Sequence, residues 1–336
     1  MAKQSPSDQL DRVISALLGP PGAPIARDEA ARPYDPAFAP VIEMISALRD
    51  LPRPDFKAGV KANLERRASM ASAPESAVNF IRRGFRTVTP YLIISGAAQW
   101  IDFAKRAFGA EEKIRVQPPG TDMVMHAEVQ IGDSMIELAD ANDQFPAVPM
   151  TLLIRVSDPD AVFERAIAAG AQVVEPVKVQ PYGTRAGTVR DDSGNNLHIF
   201  MPLPGNKSFT EFHSVTPHLY ADNAQGLIDF IGQAFDGKEV YRAQLPDGSI
   251  PHAQVRIGDS IVAMAGSQGH GPYPVRPSTI HLYVPNTDVL YEAALRAGAE
   301  SIQPPTDQPY GDRSAGVRDP FGNQWFIATH LRDVTP

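Results

Sequence analysis

Three side chains able to do acid–base or metal chemistry lie close together in the chain. His126 and Glu128 open the segment HAEVQIGDSMIELA, and Glu137 falls nine residues after Glu128. Neutral imidazole nitrogen and carboxylate oxygen suit Zn, Ni, Mn or Fe(II), and two histidines with one carboxylate leave positions open for substrate. The same carboxylates are candidate general bases. Their spacing has a geometric consequence. If Gly132-Asp133 is a two-residue turn, Ile131 faces Ser134 and Glu128 faces Glu137 across an antiparallel ladder. A period of two then puts His126, Glu128 and Glu137 on one face, with Ala127, Val129, Ile136 and Leu138 on the other. The apolar face must pack on helices, so the polar face lines a pocket or meets solvent.

The segment occurs twice. HAQVRIGDSIVAMA begins at His252, with Gln254 and Ala263 in place of the two glutamates. QPYGTRAGTVRDDSGN from Gln180 recurs as QPYGDRSAGVRDPFGN from Gln308, and VTPYL recurs as VTPHL. The offsets are 126 to 128 residues, so 86–203 and 212–332 read as two copies of one domain. Strand alternation applied to the other segments adds Thr216, His218 and Tyr220, then Thr279, His281 and Tyr283, then Asn196 and His198 to polar faces. Tyr91 holds in the first copy the position of His218 in the second. Six of the eight histidines (126, 198, 218, 252, 281 and 330) fall at such positions. Which of them meet depends on how the units pair. Pairing within a copy joins His126, Glu137 and His198. Exchange between copies brings His281 to His126, Glu128 and Glu137, and His198 to His218 and His252. The sequence leaves both open. Arg185 and Arg313, in PYGTR and PYGDR, either bind an anionic substrate group at a rim or pair with a nearby carboxylate such as Asp191 or Asp319.

Composition bounds the function. A chain of 336 residues with 43% hydrophobic and 21% charged residues is an ordinary globular sequence, and each copy can bury its own core. Without cysteine, disulfides, thiolate metal sites and cysteine nucleophiles are excluded. The net charge of −8 argues against nucleic acid and leaves a neutral or cationic small molecule as the expected ligand. No apolar run approaches the roughly 18 residues of a membrane span. A cytoplasmic monomer or homodimer is the expectation. Residues 1–75 carry 10 basic and 10 acidic residues and read as three amphipathic helices, a helical N-terminal extension for packing or assembly.

Around the turns, apolar periodicity switches between two and 3.6 in the order β-α-β-β-β, twice per copy. The fold class is therefore α+β, with tandem duplicated βαβββ-βαβββ domains after the helical extension. The IDF helix after the first strand, the IGDS hairpin, AxxAGA and RDPFGNxW together resemble the vicinal oxygen chelate superfamily of glyoxalase I, extradiol dioxygenases and bleomycin-resistance proteins. The resemblance covers roughly 86–332. It implies that paired modules curl into cups, with a divalent metal held from the first and fourth strands of two modules. Glu137 matches the family's glutamate. The first-strand positions fall on Thr89, Thr151, Thr216 and Thr279, and the last-strand positions on His198 and Phe326. Those positions do not make a complete family metal set; the candidate metal set read from strand alternation is His126, Glu137, His198 and His281, with Glu128 or Glu137 catalytic and Tyr91, Arg185, His218, His252 and Arg313 around the ligand. Two functions follow from it: a metal-dependent lyase, isomerase or dioxygenase, or a metal-free protein that sequesters a drug or metabolite.

Overall fold

The computed structural model describes residues 80–266 and 275–334. The extension read as helical, residues 1–75, lies outside the described residues. The rest is four βαβββ modules. The first comprises β1 (Val88–Ile94), α1 (Ala97–Phe108), β2 (Glu111–Val116), β3 (His126–Ile131) and β4 (Ser134–Asp140). The second comprises β5 (Thr151–Arg155), α2 (Pro159–Ala168), β6 (Gln172–Val179), β7 (Thr184–Arg190) and β8 (Asn196–Pro202). The third comprises β9 (Val215–Ala221), α3 (Ala224–Phe235), β10 (Lys238–Ala243), β11 (His252–Ile257) and β12 (Ser260–Gly266). The fourth comprises β13 (Thr279–Tyr283), α4 (Thr287–Arg296), β14 (Glu300–Asp307), β15 (Asp312–Arg318) and β16 (Gln324–His330).

Local chemistry sets the helix starts. Asp158, Asn223 and Asn286 cap α2, α3 and α4 by accepting the backbone N–H three residues on. At α1 the start is Gly96, and Asp140 from the end of β4 accepts its N–H and that of Ala97, both at 2.9 Å. A side chain from the sheet thus does what the helix's own sequence does not.

The modules pair by exchange. One eight-stranded sheet runs β14-β15-β16-β13-β1-β4-β3-β2, joining modules four and one. The other runs β10-β11-β12-β9-β5-β8-β7-β6, joining modules three and two. At the two seams β1 meets β13 and β5 meets β9, both antiparallel, with Thr89 opposite His281 and Leu153 opposite Thr216. Helices pack the other way, α1 on α2 and α3 on α4. Each copy is therefore stitched together on the helical side while its strands are divided between sheets. One apolar cluster, including Leu92, Ile101, Leu138, Ile231 and Trp325, fills the helix-facing side of both sheets.

The IGDS turns lock the exchange. Asp133 and Ser134 accept the backbone N–H of Ser214 and Val215 at 2.7 and 3.0 Å, at the start of β9. Asp259 and Ser260 do the same for Thr87 and Val88 at 2.9 and 3.2 Å, at the start of β1. Each hairpin tip caps the first strand of the other copy. The turns are tight: Gly132 and Gly258 have φ of 59° and 56°. A Cβ there would lie 2.2 Å from Ser214 Oγ and 2.3 Å from Thr87 Oγ1.

Candidate functional site

The side of each sheet away from the helices carries the chemistry-bearing residues, and the two sheets differ sharply. In the first sheet the β3–β4 ladder sets Glu128 opposite Glu137, and β1 sets Tyr91 beside Glu137. Across the seam His281 of β13 reaches Glu137, Nδ1 to Oε2 at 2.5 Å. Burial alone would disfavour both charges. Their mutual attraction and hydrogen bond outweigh it, holding the Glu137 carboxyl below the usual carboxylate range and pushing the His281 imidazole up. His126 Nε2 lies 3.2 Å from Glu128 Oε1. Tyr283 donates to Asp312 at 2.8 Å, and His330 Nδ1 sits 2.7 Å from the other oxygen of Asp312.

A residue with no place in the strand pattern completes this set. Arg82 lies in the strap of chain just before β1, and its guanidinium donates to both oxygens of Glu128, at 2.5 and 3.0 Å. Phe85 packs beneath that guanidinium, 5.1 Å from Arg82 Cζ to the ring centroid. Phe85 in turn stands edge-on to Tyr283 at 5.5 Å.

The second sheet lacks the charged set of the first: Gln254 and Ala263 stand where the first has Glu128 and Glu137. Its polar face carries His198 from β8, His218 from β9 and His252 from β11 around a cavity of about 540 Å³. Phe200, Phe209 and Tyr241 supply much of the remaining wall. Burial pushes His198 and His252 down to about 4 and His218 well below its usual value, so all three are neutral imidazoles. His198 Nδ1 is 2.9 Å from Thr188 Oγ1, and the Gln254 amide donates to His252 Nε2 at 3.1 Å. Two residues of the cavity wall each hold a buried side-chain atom without a hydrogen-bond partner, Thr184 Oγ1 and His218 Nε2.

The exchange of modules decides which expected residues meet. His126, Glu128, Glu137 and His281 share the first sheet; His198, His218 and His252 share the second. His198 therefore cannot complete a site on Glu137, and the four-residue metal set is corrected on that point. Tyr91 lies in the first cup, tilted on Phe326 at 5.7 Å. The arginines take neither expected partner. Arg185 pairs with Asp160, and Arg313 with Asp288 and Asp307 at 2.7 Å or closer. Asp191 and Asp319 instead accept from the indoles of Trp100 and Trp325 at 2.8 and 3.0 Å. Asp160 and Asp288 lie in the first turns of α2 and α4, so both guanidiniums bridge strand to helix.

A divalent metal does not fit the residues as they stand. Among the described residues no three histidine, aspartate or glutamate side chains are arranged to hold one. In the first cup Glu128 is engaged by Arg82 and Glu137 by His281. In the second the glutamate positions are Gln254 and Ala263, and the one carboxylate lining the cavity, Glu175, is engaged by Lys178 and Gln180.

Comparison with known proteins agrees with this architecture. The model of the Glyoxalase/Bleomycin resistance protein/Dioxygenase superfamily matches residues 86–199 and again 212–327, and the chain belongs to that superfamily. An uncharacterized protein of Mycobacterium tuberculosis is 38% identical over 161 residues, which are 45% of this chain and 89% of that protein. Among solved structures, glyoxalase I from Zea mays superposes with a TM-score of 0.56 at 15% identity, covering 72% of this chain and 92% of that one. An antibiotic binding protein from a Streptomyces species matches at 22% identity and a TM-score of 0.30, over 38% of this chain and 99% of that one. The likeness to glyoxalase I concerns the fold alone. No helix among the described residues is long and apolar enough to cross a membrane.

Proposed function

We propose that this protein binds an uncharged, ring-bearing small molecule in the second cup without a metal. The observation that carries the reading is the 540 Å³ cavity with aromatic walls and two buried polar atoms, Thr184 Oγ1 and His218 Nε2, that lack partners. Apolar pockets with a few convergent polar groups are the usual form of ligand sites, and an unsatisfied buried polar atom is costly until something bonds to it. Three neutral imidazoles favour an uncharged ligand: Gln254 and Ala263 supply no charge, and the one lining carboxylate, Glu175, already pairs with Lys178. The alternative, a metal-dependent lyase, isomerase or dioxygenase, requires Glu128 or Glu137 as free ligand or base. Both carboxylates are committed to cations of the protein itself.

An uncharged naphthylamine dye, fluorescent only in apolar surroundings, tests the reading. Wild-type protein should bind about one dye per chain. Ala265→Trp, which fills the cavity, should abolish binding, and His218→Ala, which removes a ring from the cavity wall, should weaken it about tenfold. Glu137→Gln, in the other cup, should leave it unchanged. Dye binding indifferent to Ala265→Trp would overturn the assignment.

A further inference from the structure

The two cups are built from equivalent positions, so each serves as the other's control. The strap before β1 has a counterpart before β9: Arg82 corresponds to Phe209 and Phe85 to Phe212. The backbone turn is the same, with Phe85 N–H donating to Arg82 O at 3.0 Å and Phe212 N–H to Phe209 O at 3.3 Å. Along this register every charged member of the first cup has an uncharged equivalent in the second. Glu128 becomes Gln254, Glu137 becomes Ala263, His281 becomes Leu153 and Asp312 becomes Thr184. In the second cup Phe209, Phe212, Ala263 and Leu153 belong to one apolar cluster. An isolated surface arginine has no reason to vary together with four buried positions. A charge-balanced set does.

We infer that Arg82 is the resident cation of the first cup. Its guanidinium, delivered by the strap and held on both oxygens of Glu128, balances the carboxylates that a divalent ion would otherwise balance, and this cup is filled from within. The charge of Arg82 also acts on Glu137 and on Asp312, so it serves the whole set rather than one partner. The strap is anchored at both ends. His330 N–H donates to Phe80 O at 2.9 Å, and Phe85 packs with Met135, Tyr283 and Ala328. The guanidinium arrives in a fixed place, with only 26% of its side chain exposed. A planar fork matches a carboxylate bidentately and does not titrate, which makes arginine suited to a permanent counter-ion. The inference concerns a different cup from the one proposed to take ligand, and the two stand or fall separately.

The test uses the full chain, stripped with chelator and then offered Mn²⁺, Zn²⁺ or Ni²⁺. Metal content after desalting and melting temperature with and without Mn²⁺ are the readouts. Wild type should retain no metal, and its melting temperature should not respond to Mn²⁺. Arg82→Met leaves buried carboxylates without their cation, so its folding equilibrium should fall by about 100-fold or more. Mn²⁺ should then raise its melting temperature, and adding Glu137→Gln should remove that response. If Arg82→Met does not fold, the double variant Arg82→Phe with Glu128→Gln, copying the second cup, decides the matter. Its recovery to near wild-type stability, without metal uptake, supports the inference. Failure of that double variant to fold, an Arg82→Met protein indistinguishable from wild type, or one metal per wild-type chain lost on Glu137→Gln would each overturn it.

Discussion

Nδ1 of His281 lies 2.5 Å from Oε2 of Glu137, across 144 residues of chain and across the seam between β1 and β13. Both side chains are buried, and each has its charge stabilised chiefly by the other. At the equivalent positions of the second sheet, Leu153 and Ala263 pack in an apolar cluster. The same backbone thus accepts an ion pair in one sheet and an apolar pair at the equivalent place in the other.

The first prediction follows from that. Glu137→Ala or His281→Leu alone should cost about 3–5 kcal/mol, because the remaining partner is left charged or unsatisfied in the interior. The double variant copies the pair already present in the second sheet and should recover most of the loss. Urea denaturation of the four proteins gives a coupling energy, expected to be at least about 2 kcal/mol. Additive losses would show that the two residues act independently.

The histidines of the two cups should separate by pH. His198 and His252 stay neutral down to about 4 in the folded protein, while an unfolded histidine protonates near 6.5. Between those values the unfolded state binds more protons, so stability falls as pH drops from about 6.5 to 4. His281 is raised, so its contribution is complete below about 6.5 and is lost as pH rises through its folded value. Glu137 is depressed, so its contribution is lost only as pH falls through and below the usual carboxylate range. Changing His198 and His252 together to Gln should reduce the 4–6.5 slope of stability against pH, leaving the share of His218, which burial also pushes well down. The Glu137→Ala/His281→Leu double variant should keep that slope.

Much of this arrangement was legible in the sequence. The two-residue turn at Gly132-Asp133 fixed Glu128 opposite Glu137, because a period of two leaves no freedom once the turn is set. The seam partner was not legible. Either pairing of modules buries the same apolar faces, and the bonds that select the exchanged one, from Asp133 to Ser214 and from Asp259 to Thr87, join residues far apart in sequence. Arg82 escaped for another reason: it lies in a strap with no strand or helix period. Its signal was in the repeat itself, where FRTVTP aligned with FHSVTP sets Arg82 against Phe209. The partners of Arg185 and Arg313 came from helix starts, Asp160 and Asp288, and not from the turn that follows their own strand.

The hairpin clasp supports a third prediction. Gly132→Ala and Gly258→Ala each combine a positive φ with a Cβ driven into a hydroxyl-bearing side chain of the other copy. Each should cost about 2 kcal/mol or more, above the roughly 1 kcal/mol expected of an exposed turn glycine. Removing the struck hydroxyl should return part of it, so Gly132→Ala with Ser214→Ala should melt above Gly132→Ala alone. No difference between the two would mean that the strain is confined to the turn.

The last prediction sets stability against binding in the second cup. Thr184 is fully buried, its hydroxyl has no partner, and its first-cup equivalent, Asp312, accepts from Tyr283 and lies beside His330. Thr184→Val keeps the shape and removes the unsatisfied oxygen, so the ligand-free protein should gain about 1 kcal/mol and melt a few degrees higher. His218→Phe should act in the same direction, replacing an imidazole with a bare Nε2 by a ring of similar breadth. If those two atoms are kept for a ligand, the same variants should bind the naphthylamine dye as well as wild type, because it asks for little beyond apolar surface. They should lose affinity selectively, about tenfold per lost hydrogen bond, for ring compounds carrying a hydroxyl or carbonyl. A destabilised Thr184→Val would mean that the hydroxyl is already satisfied in solution, and the case for a ligand bonded there would fail.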